Sequence, residues 1–236
     1  MGQYYRGVIL SKNTKKSEKI IVKQSFCCYA HDNGAKLLEH SYVGNWYVKE
    51  YERALAEEFY GYPLVWSGDY ADLHFDTDVY TKALEFADKA TRKNAKALGY
   101  RKNKNKNGCW GKEFIRNGIT ASEKSLAIAT PYEELNTTYE YIINFTKKMF
   151  VRIPKDDSDD NLVIHPLPLL CADGNGRGCG DYEGTNMELI GSWAFDRIGV
   201  ANELPKSIKT ELVVEFKDCY EGGDSSVNDF SFIPRK

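Results

Sequence analysis

Between His165 and Gly184 the chain reads HPLPLLCADGNGRGCGDYEG, and this stretch concentrates residue types that can do chemistry. Five glycines fall within eleven residues, interleaved with carboxylates, an amide, a thiol and a guanidinium. Glycine loses the most conformational entropy on folding, so such a run suits a backbone that approaches another group closely. Successive backbone N–H groups can hold an anion, and arginine adds paired hydrogen bonds to phosphate or carboxylate. The stretch predicts a loop that binds a small anionic ligand through Asp173, Gly174, Asn175, Gly176 and Arg177.

One other interpretation of the same loop follows from its composition, and two known nucleotide-binding patterns are excluded. A run of Gly, Asn and Asp between apolar segments is also typical of a long hairpin turn. The known nucleotide fingerprints do not fit, because the glycines at 174, 176 and 178 alternate and no Gly-x-Gly-x-x-Gly can be drawn. No Gly-Lys-Ser/Thr follows, which excludes a Walker loop.

The tripeptide Gly-Asp-Tyr occurs at 68–70, after a predicted strand, and again at 180–182, where it closes the glycine loop. At the end of a strand it presents a carboxylate and a phenol, so Tyr70 and Tyr182 are further candidate ligand contacts. A chance repeat is the alternative, since the flanking residues do not align. Paired carboxylates such as Asp69 and Asp181 suit acid/base chemistry or a divalent cation, and no other cofactor is predicted.

Histidine is scarce, with four in the chain, and two of them lie near candidate segments. His31 opens the turn His31–Gly34, and His165 precedes the glycine loop. Either one, with Asp69 or Asp181, is the expected proton-transfer group. We expect this turn and the two Gly-Asp-Tyr segments to meet at one cleft, with Cα separations on the order of 15 Å or less.

The segment Asp173–Arg177 resembles the second half of the Fic-family motif, His-x-Phe-x-Asp/Glu-Gly-Asn-Gly-Arg. In that family the histidine is the base, the acid holds a metal and the loop grips phosphates. The resemblance covers five residues, because Leu169 and Cys171 occupy the histidine and phenylalanine positions. It implies only an anion-binding role for the loop.

Alternating apolar patterns predict an opening hairpin over 3–10 and 19–24 and a second hairpin over 139–145 and 149–153. A helix is predicted over 46–59, capped by Asn45 and burying a stripe of four apolar residues. Another helix, capped by Asp76 or Thr77, is predicted to run to about residue 98. Residues 162–170 are expected to be an edge strand or an extended segment, because Pro166 and Pro168 cannot donate hydrogen bonds within a sheet. The order of elements predicts a single α+β domain over 1–236, with an antiparallel or mixed sheet and two or three helices on one side.

Composition limits the function classes. The net charge is −2, so nucleic acid is not an expected partner, although a Lys/Asn-rich basic loop occupies about 92–112. The chain contains no run of eighteen apolar residues, and no secretory signal precedes the first strand. Together these features predict a cytoplasmic protein without a membrane partner. The six cysteines are expected to be reduced thiols, and no metal is predicted. A zinc site at Cys27-Cys28-x-x-His31 is the alternative, but zinc ligands normally come as spaced pairs.

Four segments together resemble an uncharacterised family of bacterial and phage proteins: MGQYYRGVIL, HDNGAKLLEHSYVGN, VWSGDYAD and the region from HPLPLLCADGNGRGCGDYEG to SWAFDRI. This resemblance implies a cytoplasmic, phage-carried protein that could act on host machinery.

From the glycine loop and this resemblance, two functions are expected. The first is binding, with or without hydrolysis, of a small nucleotide- or phosphate-like anion, and the alternative is a non-enzymatic protein that inhibits or sequesters a host partner through a tyrosine-rich surface.

Overall fold

The computed structural model describes residues 3–12, 20–26, 35–71, 78–97, 101–102, 113–116, 119–122, 137–155, 163–174 and 182–217. The strands are β1 (Tyr4–Leu10), β2 (Val22–Gln24), β3 (Ala35–Lys36), β4 (Tyr62–Gly68), β5 (Arg101–Lys102), β6 (Glu113–Arg116), β7 (Ile119–Ser122), β8 (Tyr141–Asn144), β9 (Met149–Arg152), β10 (Ala172–Asp173), β11 (Arg197–Ala201) and β12 (Thr210–Glu211). The helices are α1 (Leu37–His40), α2 (Trp46–Ala56), α3 (Val79–Ala97) and α4 (Pro166–Leu170), with a 3₁₀ turn at Met187–Leu189.

In this part of the chain, nine strands form one mixed sheet in the order β12-β9-β8-β11-β4-β1-β2. Strand β10 also pairs with β4, and β3 also pairs with β1. The β4–β10 and β9–β12 pairs are parallel, and the other pairs are antiparallel. Strands β5, β6 and β7 form a second, antiparallel sheet. The predicted α+β class with a mixed sheet is confirmed.

The two faces of the sheet are covered by different helices. Successive side chains of a strand point to opposite faces. Tyr5 and Ile9 of β1 belong to a core cluster with residues of α1, α2 and α4, so we name this side the α2 face. Val8 and Leu10 pack with residues of α3 on the other side, the α3 face. Three helices on one side agree with the expectation, and α3 adds a cover on the opposite side that the sequence did not predict.

Helix α2 forms as its sequence indicates. The Asn45 side chain accepts the backbone N–H of Tyr47 at 2.9 Å and so satisfies one of the unpaired donors of the first turn. Tyr47, Tyr51 and Leu55 recur every four residues, and all three are buried against the sheet. Both predicted hairpins are also present, as β1–β2 and β8–β9.

The expectation of an extended segment before the glycine loop is wrong, because Pro166–Leu170 form helix α4. Both prolines lie in the first turn, where backbone N–H groups have no intrahelical acceptor, so the missing donors are not lost hydrogen bonds. His165 caps this helix, and its Nδ1 accepts the Leu167 N–H at 3.2 Å. The cap of α3 is Asp78 and not the predicted Asp76 or Thr77, since the Asp78 side chain accepts the N–H groups of Tyr80 and Thr81.

Among the described helices, none has the length and apolarity that a membrane span requires.

Candidate functional site

Four adjacent strands, in the order β3-β1-β4-β10, meet at one edge of the sheet, which we name the loop edge. Strand β1 begins there, and β3, β4 and β10 end there. Ala35 pairs with Tyr5, Tyr5 pairs with Gly68, and Ser67 pairs with Asp173. Neighbouring strands lie about 4.8 Å apart, so the four strands span roughly 14 Å. The described neighbours of the His31–Gly34 turn, of the first Gly-Asp-Tyr and of the glycine loop are therefore side by side.

On the α2 face of the loop edge, two glycines enclose one amide side chain. A Cβ at Gly68 would lie 2.5 Å from Gln3 Nε2, and a Cβ at Gly174 would overlap both Gln3 Oε1 and the Tyr5 hydroxyl. The Tyr5 hydroxyl donates to Gln3 Oε1 at 2.9 Å. Packing thus explains why these two positions are glycine, and the ligand contact predicted for Gly174 stays a prediction.

Deeper on the α2 face, tyrosine hydroxyls complete the backbone of β1 at Gly7. The Gly7 N–H donates to the Tyr47 hydroxyl at 3.1 Å, and the Gly7 carbonyl accepts from the hydroxyls of Tyr51 and Ser25. The Tyr51 hydroxyl also accepts the Phe26 N–H at 3.0 Å. Burial raises the pKa of Tyr51 to about 12. These tyrosines hold the fold together, and Tyr51 keeps its proton at neutral pH.

The first Gly-Asp-Tyr closes the β1–β4 pair. Asp69 Oδ1 accepts the Tyr4 N–H at 3.1 Å, and the Asp69 N–H donates to the Tyr4 carbonyl at 2.9 Å. Tyr70 follows with its side chain 59 % exposed. Asp69 therefore has a structural role at the loop edge, and Tyr70 presents its phenol to solvent there.

On the α3 face of the loop edge, three polar residues lie directly across three strands. Arg6 of β1 pairs with Ser67 of β4, and Ser67 pairs with Asp173 of β10. Directly paired residues point to the same face, and each step across the sheet is about 5 Å. Arg6 lies two residues before Val8, which packs against α3, so the three side chains share the α3 face. We name this set the Arg–Ser–Asp row.

Arg6 is a charged residue with 1 % of its surface exposed. Its Nη1 donates to the Phe26 carbonyl at 3.4 Å, and its Cζ lies 5.9 Å from the centre of the Tyr80 ring in α3. A guanidinium over an aromatic face is stabilised by the ring quadrupole. The fold therefore places a positive charge inside the sheet, beside Ser67.

Ser67 differs from Ser25 and Ser41, the other two serines that are buried as whole residues, and shares with the half-buried Ser192 a hydroxyl that lacks a partner within the described residues. In the described part of the chain, Ser25 donates to the Gly7 carbonyl at 3.0 Å and Ser41 to the Leu37 carbonyl at 2.5 Å. Ser67 is 1 % exposed, and its Oγ has no hydrogen-bond partner within the described residues. An unsatisfied buried polar group costs about 1–3 kcal/mol, so this hydroxyl requires an explanation.

His165, one of the predicted catalytic residues, lies in the core. Its Nε2 is 2.9 Å from Glu52 Oε1, and both side chains are buried. Because Nδ1 accepts the Leu167 N–H, Nε2 carries the proton and donates to the carboxylate. The pair joins α2 to the start of α4, so both ring nitrogens have structural partners.

His40 is a second buried histidine, which the sequence did not assign to a site. Its Nε2 accepts the indole N–H of Trp66 at 2.7 Å, and the two rings are stacked. Burial lowers the pKa of His40 to about 4, and a backbone contact with Lys36 opposes part of this shift. His40 is therefore neutral at physiological pH.

Two further residues of the glycine-loop region are internal. Tyr182 is buried, and its hydroxyl donates to the carbonyls of Thr185 at 2.6 Å and Lys217 at 3.1 Å. Cys171 is a free, buried thiol, and burial raises its pKa well above the usual value. Tyr182 anchors the segment that follows the loop, and its ligand contact stays a prediction.

The remaining predicted site residues lie outside the described residues: His31, Asn175, Gly176, Arg177 and Asp181. The cysteines at 27, 28, 109, 179 and 219 and most of the basic region at 92–112 are likewise not covered. Among the residues that the structure does describe, no three His, Cys, Asp or Glu side chains are grouped to hold a metal ion.

Sequence reasoning did not single out Arg6, Ser67, Glu52 or His40. A signal for two of them was present, since Arg6 interrupts the run YYRGVIL and Ser67 interrupts YPLVWSG. A polar residue inside an apolar strand is unusual enough to indicate a buried polar site. The Glu52–His165 pair joins residues 113 apart in sequence, so no local pattern predicts it.

Comparisons with known proteins give no assignment. No protein-family model matches the chain, and no significant match is found among curated proteins or among solved structures.

Proposed function

We propose that the chain binds a small anionic, phosphate-like ligand at the loop edge. The observation that carries this proposal is the pairing of β4 with β10, which brings Asp173 beside Ser67 and the start of the glycine loop beside the first Gly-Asp-Tyr. Parallel strands release their following loops at the same edge, and ligands of open sheets commonly bind outside such carboxyl ends. The Gly-rich loop would supply N–H groups there, and Arg177 a guanidinium.

Two cationic side chains at the edge support an anion, beside the carboxylates of Asp69 and Asp173. Arg6 is enclosed within the sheet next to Ser67, and Lys36 ends β3 on the same edge. Asp69 is occupied by the Tyr4 backbone N–H, which offsets part of its negative charge. A guanidinium in a low-dielectric setting attracts an anion more strongly than one in water. Binding is the activity proposed, and the catalytic roles of His165 and Asp69 stay predictions.

The alternative function, inhibition or sequestration of a host protein, is based on the high tyrosine content of the sequence. Within the described residues, five tyrosines are buried, at positions 5, 47, 51, 80 and 182. The large hydrophobic residues that are exposed in this part are Ile21, Tyr70 and Val213. Five of the sixteen tyrosines therefore serve the core.

Calorimetric titration tests the proposal. Inorganic phosphate and adenosine 5′-monophosphate are titrated into the wild type, Arg177→Ala and Arg53→Ala. Arg53 is a matched control, because it is a surface arginine paired with Glu50 at 2.8 Å. We expect saturable binding by the wild type, at least about tenfold weaker binding by Arg177→Ala (about 1.4 kcal/mol) and wild-type affinity for Arg53→Ala.

Two results would contradict the proposed function. One is the absence of binding of either probe to the wild type at millimolar concentration. The other is equal affinity of all three proteins, which would leave the glycine loop without a role. Arg177→Ala is checked by thermal unfolding, because a variant that unfolds would show Arg177 to be structural.

A further inference from the structure

The Arg–Ser–Asp row offers three different hydrogen-bonding groups in a fixed order. Arg6 supplies donors with a positive charge, Ser67 a hydroxyl that donates or accepts, and Asp173 a carboxylate that accepts. The register places Ser67 between the other two, with about 5 Å between neighbours. Such an order matches a ligand with an anionic group at one end and a hydrogen-bond donor a few ångströms away.

The Ser67 hydroxyl is the observation that points to a ligand. It is buried, and within the described residues its Oγ lacks a partner, whereas Ser25 and Ser41 each donate to a backbone carbonyl. Buried polar groups in folded proteins are almost always hydrogen-bonded, and exceptions commonly mark functional groups. A bound oxyanion would accept the Ser67 proton and satisfy this hydroxyl.

We propose that Ser67 and Arg6 contact the anionic group of the ligand, and that Asp173 accepts a hydrogen bond from a hydroxyl of the same ligand. The ligand class is thus a phosphomonoester that also carries a hydroxyl, such as a sugar or polyol phosphate or a nucleoside monophosphate. This inference rests on the proposed function and adds to it the residues that read the ligand. Inorganic phosphate has no carbon-bound hydroxyl that extends toward Asp173, and it is the weaker ligand.

The burial of the row has a kinetic consequence. Arg6 and Ser67 are each 1 % exposed, so a ligand that reaches them is enclosed in the complex. Association that requires a conformational change is slower than binding to a preformed, open site. We therefore expect glycerol 3-phosphate to associate well below the diffusion limit.

The test compares two buried serines of the same protein. Glycerol 3-phosphate and inorganic phosphate are titrated into the wild type, Ser67→Ala, Ser25→Ala and Asp173→Asn. Ser25 is the control, because it is buried on the other side of β1 and already donates to the Gly7 carbonyl. We expect Ser67→Ala to weaken both probes about tenfold, and Ser25→Ala to leave both affinities unchanged.

Asp173→Asn distinguishes the two ends of the row. We expect it to weaken glycerol 3-phosphate several-fold and to leave inorganic phosphate unchanged or tighter, since a negative charge has been removed. Arg6→Lys is a supporting variant, because lysine keeps the charge and loses the paired hydrogen bonds. If Arg6→Lys does not fold, the serine and aspartate variants still decide the proposal.

The outcomes separate this inference from the proposed function. If the wild type binds neither probe, both fail. If the wild type binds, Arg177→Ala loses binding and Ser67→Ala binds like the wild type, then the row is not the ligand site and the proposed function stands. Equal weakening by Ser67→Ala and Ser25→Ala would also overturn the inference, because the effect would then be structural.

Discussion

The two faces of the loop edge share strands β1, β4 and β10 and differ in how their polar groups are used. On the α2 face, the amide of Gln3 and the hydroxyls of Tyr5 and Tyr51 are hydrogen-bonded within the protein. On the α3 face, Arg6 and Asp173 flank the Ser67 hydroxyl, which lacks a partner among the described residues. The tyrosine hydroxyls of one face are hydrogen-bonded within the fold, and the other face holds a serine hydroxyl that a ligand would satisfy.

On the α2 face, glycines make room for large side chains. Gly7 leaves room for the Tyr51 ring, and Gly68 and Gly174 leave room for Gln3. The glycines of the strand ends are thus explained by packing on the α2 face. Evidence for ligand binding has to be sought on the α3 face and in the loop itself.

The largest expected effect comes from filling the space at Gly7. A Cβ there would lie 2.5 Å from Cζ of the Tyr51 ring, which is fully buried. We expect Gly7→Ala to lower the free energy of unfolding by about 3 kcal/mol, as overpacking of a rigid core does. Urea unfolding measures it, and a loss below about 1 kcal/mol would show that the α2 face is not tightly packed.

A second prediction concerns pH. The pKa of His40 falls to about 4 in the folded protein, from 6.5 when unfolded, so the unfolded state binds more protons below pH 6.5. Stability is then full above pH 6.5 and falls as the pH drops toward 4. From this shift we expect a loss of about 2 kcal/mol at pH 5 relative to pH 7.5. Urea unfolding of wild type and His40→Gln at both pH values isolates this contribution, and an equal pH dependence in the two proteins would contradict it.

A third prediction compares two tyrosines that differ in burial. Tyr51→Phe removes the acceptor of the Phe26 N–H and one donor to the Gly7 carbonyl. We expect a loss of about 1.5 kcal/mol in the free energy of unfolding. Tyr70→Phe is the control, since that side chain is 59 % exposed, and its stability should change by less than about 0.5 kcal/mol. Similar losses in both would remove the distinction between structural and surface tyrosines.

The smallest expected effect is the change in stability caused by Ser67→Ala, which is compared with that caused by Ser25→Ala. Removing a buried hydroxyl that has no partner does not break a hydrogen bond, so without ligand Ser67→Ala should match the wild type within about 0.5 kcal/mol. Ser25→Ala loses its bond to the Gly7 carbonyl and should be less stable by about 1 kcal/mol. Chemical denaturation measures both. A larger loss for Ser67→Ala than for Ser25→Ala would assign Ser67 to the fold.

Much of the architecture follows from local sequence patterns. The four-residue spacing of Tyr47, Tyr51 and Leu55 predicts the buried side of α2, and Asn45 predicts its start. The alternation in the two hairpins predicts β1–β2 and β8–β9. Helix α4 was missed, because the rule that proline breaks regular structure does not apply in the first turn of a helix.

Non-local pairings account for what sequence reasoning could not supply. Strand β10 has two residues, and its pairing with β4 joins positions about a hundred residues apart, so no periodicity predicts the row formed with Arg6. The sequence did indicate that the first Gly-Asp-Tyr and the glycine loop belong together. It assigned the chemistry to His165, which the structure places beside Glu52 in the core.

The position of a bound oxyanion tests the central claim most directly. A crystal structure of the protein with tungstate, a heavy-atom analogue of phosphate, would locate the anion by its anomalous scattering. We expect a tungstate oxygen within hydrogen-bond distance, about 3 Å, of Ser67 Oγ and of the Arg6 guanidinium. An anion bound only away from these two side chains would contradict the assignment of the Arg–Ser–Asp row as the anion site and leave Ser67 as an unsatisfied group of the core.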